Sequence, residues 1–291
     1  MTVAVYNNKG GVGKTTTVLN LGALLAFLGK KVLLVDFDYD QGNLTERMHK
    51  SVVEGSVYEL LTGSQPGDLQ KVLISKSYSI KLKNGQEKIV NLDLIPADKN
   101  MQLGDPGRQK VIPTYSLRDK LAFAIQNYDY ILIDTPPGRH LTNRVALWAA
   151  DVVLIPTEIM DVGSITGAKT VIEDHIPNVR KLKEAGSLPG ELTAQTTTPV
   201  ALPIFFNNVD MQSYKSFGAK VRDFLNQFIP CDLKPYFLPN DRYLPHCLPS
   251  FARIATVNFS SQSSQETKPA VFCHQYALNY YLALAREYFL Q

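Results

Sequence analysis

A glycine-rich loop near the amino terminus constrains the fold more than any other feature of this sequence. The apolar run Val3–Tyr6 is followed by the segment Gly10–Thr16, GGVGKTT, which leads directly into an amphipathic stretch. Glycines let backbone N–H groups turn towards an oxyanion, and the positive end of the following helix faces the same point. Lys14 would reach the β- and γ-phosphates of a nucleotide, and the Thr15 hydroxyl would ligate Mg²⁺. The order of strand, glycine loop and helix therefore predicts a phosphate-binding loop.

The rest of the chain alternates short apolar runs with amphipathic segments, which is typical of a parallel sheet covered by helices on both faces. The predicted strands are Val3–Tyr6, Val32–Asp36, Leu92–Ile95, Ile131–Asp134, Val152–Ile155 and Val200–Phe206. The predicted helices are Thr15–Leu28, Leu117–Gln126, Leu141–Trp148, Ser213–Phe228 and Val271–Phe289. Continuous apolar strands are buried on both faces, so we predict an α/β fold with a doubly wound, mainly parallel sheet.

Two stretches interrupt this alternation. Ser77–Val90 has Asn84-Gly85 between two β-prone arms, which predicts an inserted hairpin at about 77–90. Such a hairpin is either a surface addition or a functional loop. Leu182–Pro199 is rich in Gly, Pro and Thr, which predicts an exposed loop at about 182–199. Neither stretch resembles a linker, so we predict a single domain over residues 1–291.

Composition adds few constraints. The net charge is +3, too small for bulk charge to indicate a nucleic-acid binder, so any such site must be a local patch. The cysteines, Cys231, Cys247 and Cys273, are too far apart in the sequence for a disulfide framework or a zinc site. No apolar run reaches the ~18 residues of a membrane span, and no signal sequence precedes the first strand. We therefore expect a cytoplasmic protein.

Aspartates end two of the predicted strands, and a third follows closely. Asp36 and Asp38 come at the end of the Val32 run, and Asp134 ends the Ile131 run. The carboxyl ends of parallel strands lie beside the phosphate loop in such sheets, where carboxylates can hold Mg²⁺. A single aspartate at a strand end is often only a helix cap. Three carboxylates in this order after a phosphate loop favour a nucleotide site.

The segment KGGVGKTT, which begins at Lys9, resembles the deviant Walker A box of the ParA/MinD ATPases. The resemblance continues through VDFDYDQGN, from Val35 to Asn43, and through YDYILIDTPP, from Tyr128 to Pro137, and is weaker beyond. The proline that usually follows the second aspartate of the VDFD segment is absent from this chain. The resemblance implies a P-loop NTPase of the deviant Walker type that binds ATP and Mg²⁺ and hydrolyses ATP in a sandwich-like homodimer.

The resemblance also implies roles for individual residues. Lys9 would contact the nucleotide of the opposite subunit, and Asp38 would orient the attacking water. The catalytic residues would be Lys9, Lys14 and Asp38, and the magnesium residues Thr15, Asp36 and Asp134. The nucleotide-binding residues would be Lys9, Gly10, Gly11, Val12, Gly13, Lys14, Thr15, Thr16, Asn207, Pro239 and Asn240. The last three of these would contact the adenine base.

The resemblance is closest to ParA-type partition and positioning ATPases. It implies an ATP-bound dimer that binds DNA non-specifically and associates with the nucleoid. A ParB-like or cargo-adaptor protein would stimulate hydrolysis, and the cargo would be a plasmid, a chromosome or a protein assembly such as a carboxysome. The candidate DNA contacts are Lys215, Lys220, Arg222, Arg242 and Arg253. The same basic residues are also compatible with a solvated helix face.

A MinD-type membrane ATPase is the alternative hypothesis. It requires a basic amphipathic helix that inserts into a bilayer surface. The tail, residues 276–291, contains Arg286 as its only basic residue. We therefore expect the tail helix to pack on the sheet, and membrane binding is not favoured.

Overall fold

The computed structural model describes residues 1–39, 41–51, 55–63, 68–97, 113–114, 116–158, 161–185, 198–209, 232–233, 236, 247–249 and 268–290. Several predictions lie outside these residues. They are the helix 213–228, most of the loop 182–199, the adenine contacts Pro239 and Asn240, and the DNA contacts Lys215, Lys220, Arg222, Arg242 and Arg253.

A parallel sheet forms the centre of the fold. Its strands are β1 Thr2–Val5, β2 Val32–Asp36, β3 Ile74–Lys81, β4 Glu87–Ile95, β5 Tyr130–Asp134, β6 Val152–Leu154 and β8 Val200–Ala201. Within the described residues, these seven strands take the order β3-β4-β2-β5-β1-β6-β8, and every neighbouring pair is parallel except β3 and β4. A smaller parallel sheet contains β7 Pro156–Glu158, β9 Phe205–Val209 and β10 Cys247–Pro249, in the order β10-β9-β7.

Helices cover both faces of the central sheet. They are α1 Lys14–Phe27, α2 Asn43–Met48, α3 Val57–Thr62, α4 Asp68–Val72, α5 Ser116–Lys120, α6 Ala122–Asn127, α7 Leu141–Ala149, α8 Val162–Thr170, α9 Ile176–Glu184, α10 Ala270–Cys273 and α11 Gln275–Tyr288. The π-helical turn Val171–His175 joins α8 to α9. Side chains alternate between the two faces: Val32 and Leu34 of β2 pack with α1 and α11, and Leu33 and Val35 pack with α3 and α5. This arrangement confirms the doubly wound α/β fold.

The hairpin is longer than predicted. Strands β3 and β4 pair antiparallel from Ile74–Leu94 to Lys81–Glu87, and the turn contains Asn84 and Gly85. The second arm continues without a break into the predicted Leu92–Ile95 run, so both belong to β4, which pairs with β2. The hairpin is therefore an extension of the central sheet at its edge.

Three predicted elements are divided in the structure. The Val200–Phe206 run forms β8 and β9 in different sheets, and Pro203, which has no N–H for a ladder hydrogen bond, lies between them. The Leu117–Gln126 segment contains α5 and α6, which meet at Leu121. The tail contains α10 and α11, which are separated by the extended backbone of His274.

The tail helix belongs to the core, as the sequence predicts. Tyr281 of α11 is fully buried, and its hydroxyl lies 3.5 Å from the carbonyl oxygen of Thr16 in α1. The Tyr130 hydroxyl donates to the carbonyl of Phe289, just beyond α11. Among the described residues, no helix combines the length and the apolar character needed to cross a membrane.

Candidate functional site

The phosphate loop connects the end of β1 to the start of α1. Gly11 and Gly13 have φ angles of +81° and +87°, in the left-handed region that strains other residues. Gly13 precedes the first turn of α1 and has no side chain to cap it. The N–H groups of that turn are therefore available to an anion, and the helix dipole adds positive potential at the same point.

The ammonium group of Lys14 is held inside this loop. Its side chain is buried, and Nζ donates to the carbonyl oxygen of Lys9 at 3.1 Å. Burial lowers the pKa of Lys14, and the neighbouring carboxylates of Asp134 and Asp38 oppose that shift. Lys14 thus lies between the glycine loop and the aspartates at the strand ends. There a nucleotide phosphate could accept the hydrogen bond that Nζ now donates to the Lys9 carbonyl oxygen.

Asp36 and Asp134 are direct neighbours on adjacent strands, β2 and β5. Asp36 is fully buried, and its Oδ2 accepts from the N–H of Thr45 at 2.8 Å and from the Thr45 hydroxyl at 2.7 Å. Burial raises the pKa of Asp36 to about 6 despite these bonds. The register of these parallel strands therefore places two buried carboxyl groups side by side at the C-terminal ends of β2 and β5.

Asp134 is the less satisfied member of the pair. It is fully buried, and in the described part of the chain neither carboxylate oxygen makes a hydrogen bond of regular geometry, although the Thr15 side chain lies close enough to interact with it. Burial raises the pKa of Asp134 well above its ordinary value, and the charge of Asp36 raises it further. The Thr15 side chain and the Lys14 ammonium group act in the opposite direction by favouring the carboxylate.

A hydrated Mg²⁺ ion fits this set of groups. The buried carboxyl groups of Asp36 and Asp134, beside a threonine hydroxyl and a phosphate loop, supply the hard oxygen ligands that Mg²⁺ prefers. The described residues contain no cluster of three or more His, Cys, Asp or Glu side chains suited to a metal. Two carboxyl groups and one hydroxyl leave most of the ligand positions of a Mg²⁺ ion to phosphate oxygens and water.

Asp38 lies in the loop that follows β2, at the same edge of the sheet. Its side chain is buried, and Oδ1 accepts from the N–H of Gln41 at 3.3 Å. The carbonyl oxygen of Asp38 accepts from the N–H of Gly42 at 2.7 Å, which closes a turn before α2. The turn fixes the backbone of Asp38, and its negative charge acts on Lys14 across the site.

Lys9 is directed away from its own loop. Its side chain is half exposed, and Nζ lies 3.9 Å from Oδ2 of Asp161, which caps α8 through the N–H of Gly163. An exposed pair at this distance contributes little stability. Lys9 is therefore placed at the surface beside the phosphate loop, where another molecule could contact it.

Asn207 of β9 contacts the phosphate loop directly. Its Nδ2 donates to the carbonyl oxygen of Val12 at 2.7 Å, so this β9 residue is hydrogen-bonded to the backbone of the phosphate loop. A Cβ atom at Gly13 would lie 2.7 Å from the same nitrogen, which gives a second reason for glycine there. Its Oδ1 is buried and has no partner among the described residues. A contact between Asn207 and adenine remains a prediction.

Two supporting contacts were not predicted from the sequence. Asn7 is fully buried; its Oδ1 accepts from the N–H of Lys9 at 3.0 Å, and its Nδ2 donates to the carbonyls of Pro156 and Ser164. A Cβ atom at Gly167 would lie 2.3 Å from Asn7 Oδ1, so α8 approaches the loop closely. A glycine inside a helix was the one available signal for this approach.

Arg47 of α2 is a second supporting residue, and no motif in the sequence indicates its role. Its Nη1 donates to the Thr16 hydroxyl at 3.2 Å. Burial lowers the pKa of Arg47, and the charge of Asp134 opposes that shift. Arg47 thus adds a second largely buried cation near the two carboxyl groups.

Because the Asp134 carboxyl group is buried, we expect it to lower the stability of the nucleotide-free protein and to be needed for binding of Mg²⁺ and ATP. An aspartate whose pKa is higher in the folded than in the unfolded chain binds its proton more tightly when the chain is folded. The free energy of unfolding therefore falls as the pH rises from the unfolded pKa to the folded pKa. At pH 7.5 and without nucleotide, we expect Asp134→Asn to raise the melting temperature by at least about 3 °C. Mg²⁺ and ATP should stabilise the wild type and not the variant, because the variant lacks the carboxylate.

Thermal unfolding with and without Mg²⁺ and ATP measures both effects. Asp119→Asn is the matched control, because this aspartate of α5 is exposed and far from the loop in sequence. A melting temperature of nucleotide-free Asp134→Asn below that of the wild type would contradict the assignment of a destabilising buried charge.

Comparison with known proteins places this geometry in context. A family model described as an AAA domain matches residues 1–185. The sporulation initiation inhibitor protein Soj of Bacillus subtilis is 43% identical over 162 residues, which cover 54% of this chain and 57% of Soj. The chain thus spans little more than half the length of this curated relative.

Solved structures match over almost the whole chain. The structure of pNOB8 ParA bound to nonspecific DNA gives a TM-score of 0.64 at 21% identity, covering 98% of this chain and 97% of that one. The septum site-determining protein MinD of Pyrococcus horikoshii, complexed with Mg-ADP, gives 0.61 at 21% identity, covering 99% and 96%. At these identities the likeness establishes the fold alone.

Proposed function

The chain belongs to the ParA/MinD family of P-loop ATPases, and we propose that it hydrolyses ATP with Mg²⁺ to control the association of two copies of itself with DNA. The observation that carries this proposal is the fully buried carboxyl group of Asp134, which makes no regular hydrogen bond among the described residues and lies beside Thr15 and Lys14. Such a group is costly unless a ligand compensates it. A magnesium nucleotide on the phosphate loop supplies that compensation.

Different residues of the chain bind the phosphates, hold the metal ion and orient the attacking water during phosphoryl transfer. The backbone of Gly10–Thr16 holds the phosphates, and the Lys14 ammonium group stabilises the negative charge that shifts towards the leaving oxygen. Thr15 and Asp134 would hold Mg²⁺, with Asp36 in support. When bound, Mg²⁺ neutralises charge on the β- and γ-phosphates. Asp38 orients a water molecule for in-line attack on the γ-phosphorus, which yields ADP and phosphate.

Lys9 connects hydrolysis to assembly. Among the described residues, its half-exposed ammonium group has one ion-pair contact, at 3.9 Å from Asp161, so little is lost when it moves to another partner. In an ATP-bound homodimer, Lys9 contacts the phosphates bound by the opposite subunit. Loss of the γ-phosphate removes that contact and favours separation, so the reaction limits the lifetime of the dimer.

The ATP-bound dimer binds DNA non-specifically. The similarity to Soj and the fold shared with a ParA bound to nonspecific DNA support this choice. A ParB-like or cargo-adaptor protein stimulates hydrolysis and so releases the dimer locally, which positions a plasmid, a chromosome or a protein assembly. The protein works in the cytoplasm and is associated with the nucleoid in its ATP-bound state.

The packing of the tail disfavours the MinD-type alternative. Ala277, Tyr281, Leu284 and Ala285 of α11 are buried, and Tyr281 contacts α1. A helix that inserts into a bilayer surface would have to expose this apolar face and lose its core contacts. The described tail residues are therefore better suited to closing the domain.

Binding to arbitrary duplex DNA tests the proposal. With ATP and Mg²⁺, we expect the purified protein to bind DNA at least roughly tenfold more tightly than with ADP or without nucleotide, and the affinity to fall with salt as phosphate contacts require. Lys14→Ala is the control, since it should bind equally weakly in every nucleotide state. Parallel sedimentation uses anionic liposomes at the same salt concentration.

Each outcome of this experiment separates the two functions. ATP-dependent binding to DNA and not to liposomes supports the ParA-type function. ATP-dependent binding to liposomes without binding to DNA would replace it with the MinD-type function. Equal DNA binding in all nucleotide states would contradict the role of ATP as the switch.

A further inference from the structure

A second polar pocket lies beside the site described above and has no part in the proposed mechanism. Its volume is about 220 Å³, and it opens between α7 and the π-helical turn that leads into α9. One wall contains Arg144 and Leu147 of α7, together with Arg139 and His140, which immediately precede this helix. Positions three and four apart on a helix share one face, so these side chains line the pocket together.

Partly buried hydrogen bonds fix the floor of the pocket. Tyr6 is fully buried, and its hydroxyl lies 2.8 Å from Nδ1 of His175 and 2.9 Å from the carbonyl oxygen of Gly138. The Tyr6 and His175 rings stack with their centroids 5.5 Å apart. Burial lowers the pKa of His175, and the charge of Asp174, 3.9 Å from Nε2, opposes that shift. Such a floor favours a preformed pocket over one that must be induced.

The charge at the pocket is positive. Arg139 and Arg144 both line it, and Asp174 is the acidic residue there. Asp174 already lies 3.8 Å from Arg139 and accepts a hydrogen bond from Asn178. Within the described residues, no carboxylate lies within ion-pair distance of Arg144. One guanidinium group is thus left available for an anion.

Size and chemistry together select the kind of anion. A volume of about 220 Å³ is far above the ~15 Å³ that a water molecule needs and below the ~300 Å³ at which sites for drug-sized molecules begin. Guanidinium groups bind phosphate and carboxylate oxygens in bidentate fashion. Asp174 in the same pocket favours an anion that carries its own O–H donor. Hydrogen phosphate has such a donor near neutral pH, and sulfate does not.

We propose that this pocket is a second oxyanion site, separate from the phosphate loop, which binds hydrogen phosphate through Arg139 and Arg144 while the phosphate O–H donates to Asp174. The proposal is independent of the ATPase function. If that function is also correct, the pocket lies next to the reaction that produces its ligand, since Gly138 follows the Asp134 strand by four positions.

Calorimetric titration with potassium phosphate tests the pocket. The phosphate loop must be eliminated as a binding site, so the titration uses the Lys14→Ala protein without nucleotide and, separately, the wild type saturated with a non-hydrolysable ATP analogue and Mg²⁺. In both proteins we expect one saturable site with a dissociation constant on the order of 1 mM. Potassium sulfate at the same ionic strength should bind at least roughly fivefold more weakly.

Variants on the Lys14→Ala background assign the site. Arg144→Gln should weaken phosphate binding at least about tenfold, and Arg139→Gln combined with Arg144→Gln should abolish it. Arg180→Gln is the matched control, because this exposed arginine of α9 does not line the pocket.

Absence of a saturable site, equal affinity for sulfate, or equal weakening by Arg180→Gln would each overturn the proposal. Failure of the ATP analogue to bind would count against the ATPase function and leave the titration of the Lys14→Ala protein valid. The two proposals can therefore fail separately.

Discussion

Replacing Lys14 with alanine is expected to raise the dissociation constant for ATP at least roughly 100-fold. Lys14 is the buried cation of the phosphate loop, and its Nζ already donates to the carbonyl oxygen of Lys9 within that loop. Hydrogen bonds to charged groups contribute about 1.5–3 kcal/mol each, so losing two phosphate contacts accounts for this change. The negative charges of Asp134 and Asp38 would then also lack the cation that offsets them as the phosphates approach.

Fluorescence titration with a labelled ATP analogue measures this effect. Lys30→Ala is the matched control, because this exposed lysine follows α1 and should bind nucleotide like the wild type. Circular dichroism establishes that both variants are folded. Affinity for ATP in a folded Lys14→Ala protein within about threefold of the wild type would contradict the assignment of the nucleotide to this loop.

Replacing Asp38 with alanine is expected to lower the rate of ATP hydrolysis at least about 100-fold and to leave ATP affinity within about threefold of the wild type. The reason is the position of the residue. Asp38 lies in the turn after β2, where its Oδ1 accepts from the N–H of Gln41, and not in the glycine loop that holds the phosphates. Removing a group that orients water affects the chemical step more than binding.

Phosphate release under saturating ATP, measured together with ATP affinity, separates these two effects. Asp119→Ala is the control, since this exposed aspartate lies on α5. Native hydrolysis by Asp38→Ala would exclude Asp38 as the residue that positions water. Equal losses of binding and of turnover would instead assign Asp38 to the nucleotide pocket.

The location of the site residues could be predicted because it depends on short segments at the ends of strands. A glycine loop between an apolar run and a helix places its lysine and threonine by local geometry alone. Aspartates at the ends of parallel strands meet at one edge, and the register of β2 and β5 brings Asp36 and Asp134 side by side. Both the sheet and the positions of these groups could therefore be predicted from the sequence.

The supports of the site depend on contacts between distant segments, which patterns do not specify. Asn207 and Val12 are 195 positions apart, and Asn7 and Ser164 are 157 apart. The close approach of Gly167 to Asn7 follows from how α8 packs on the loop. The division of the Val200–Phe206 run between two sheets also depends on tertiary packing, which overrides strand propensity. The Tyr6–His175 floor of the second pocket arises in the same way.

The molar mass of Asp38→Ala in solution tests the central claim most directly, because this variant should hold ATP without hydrolysing it. Light scattering with ATP and Mg²⁺ should give twice the mass of one chain of 32.4 kDa, and with ADP the mass of one chain. Adding Lys9→Ala should return the ATP-bound protein to a monomer, because the contact across the dimer is lost. A monomer with ATP, or a dimer of the same strength with ADP, would contradict the account of an association controlled by the γ-phosphate.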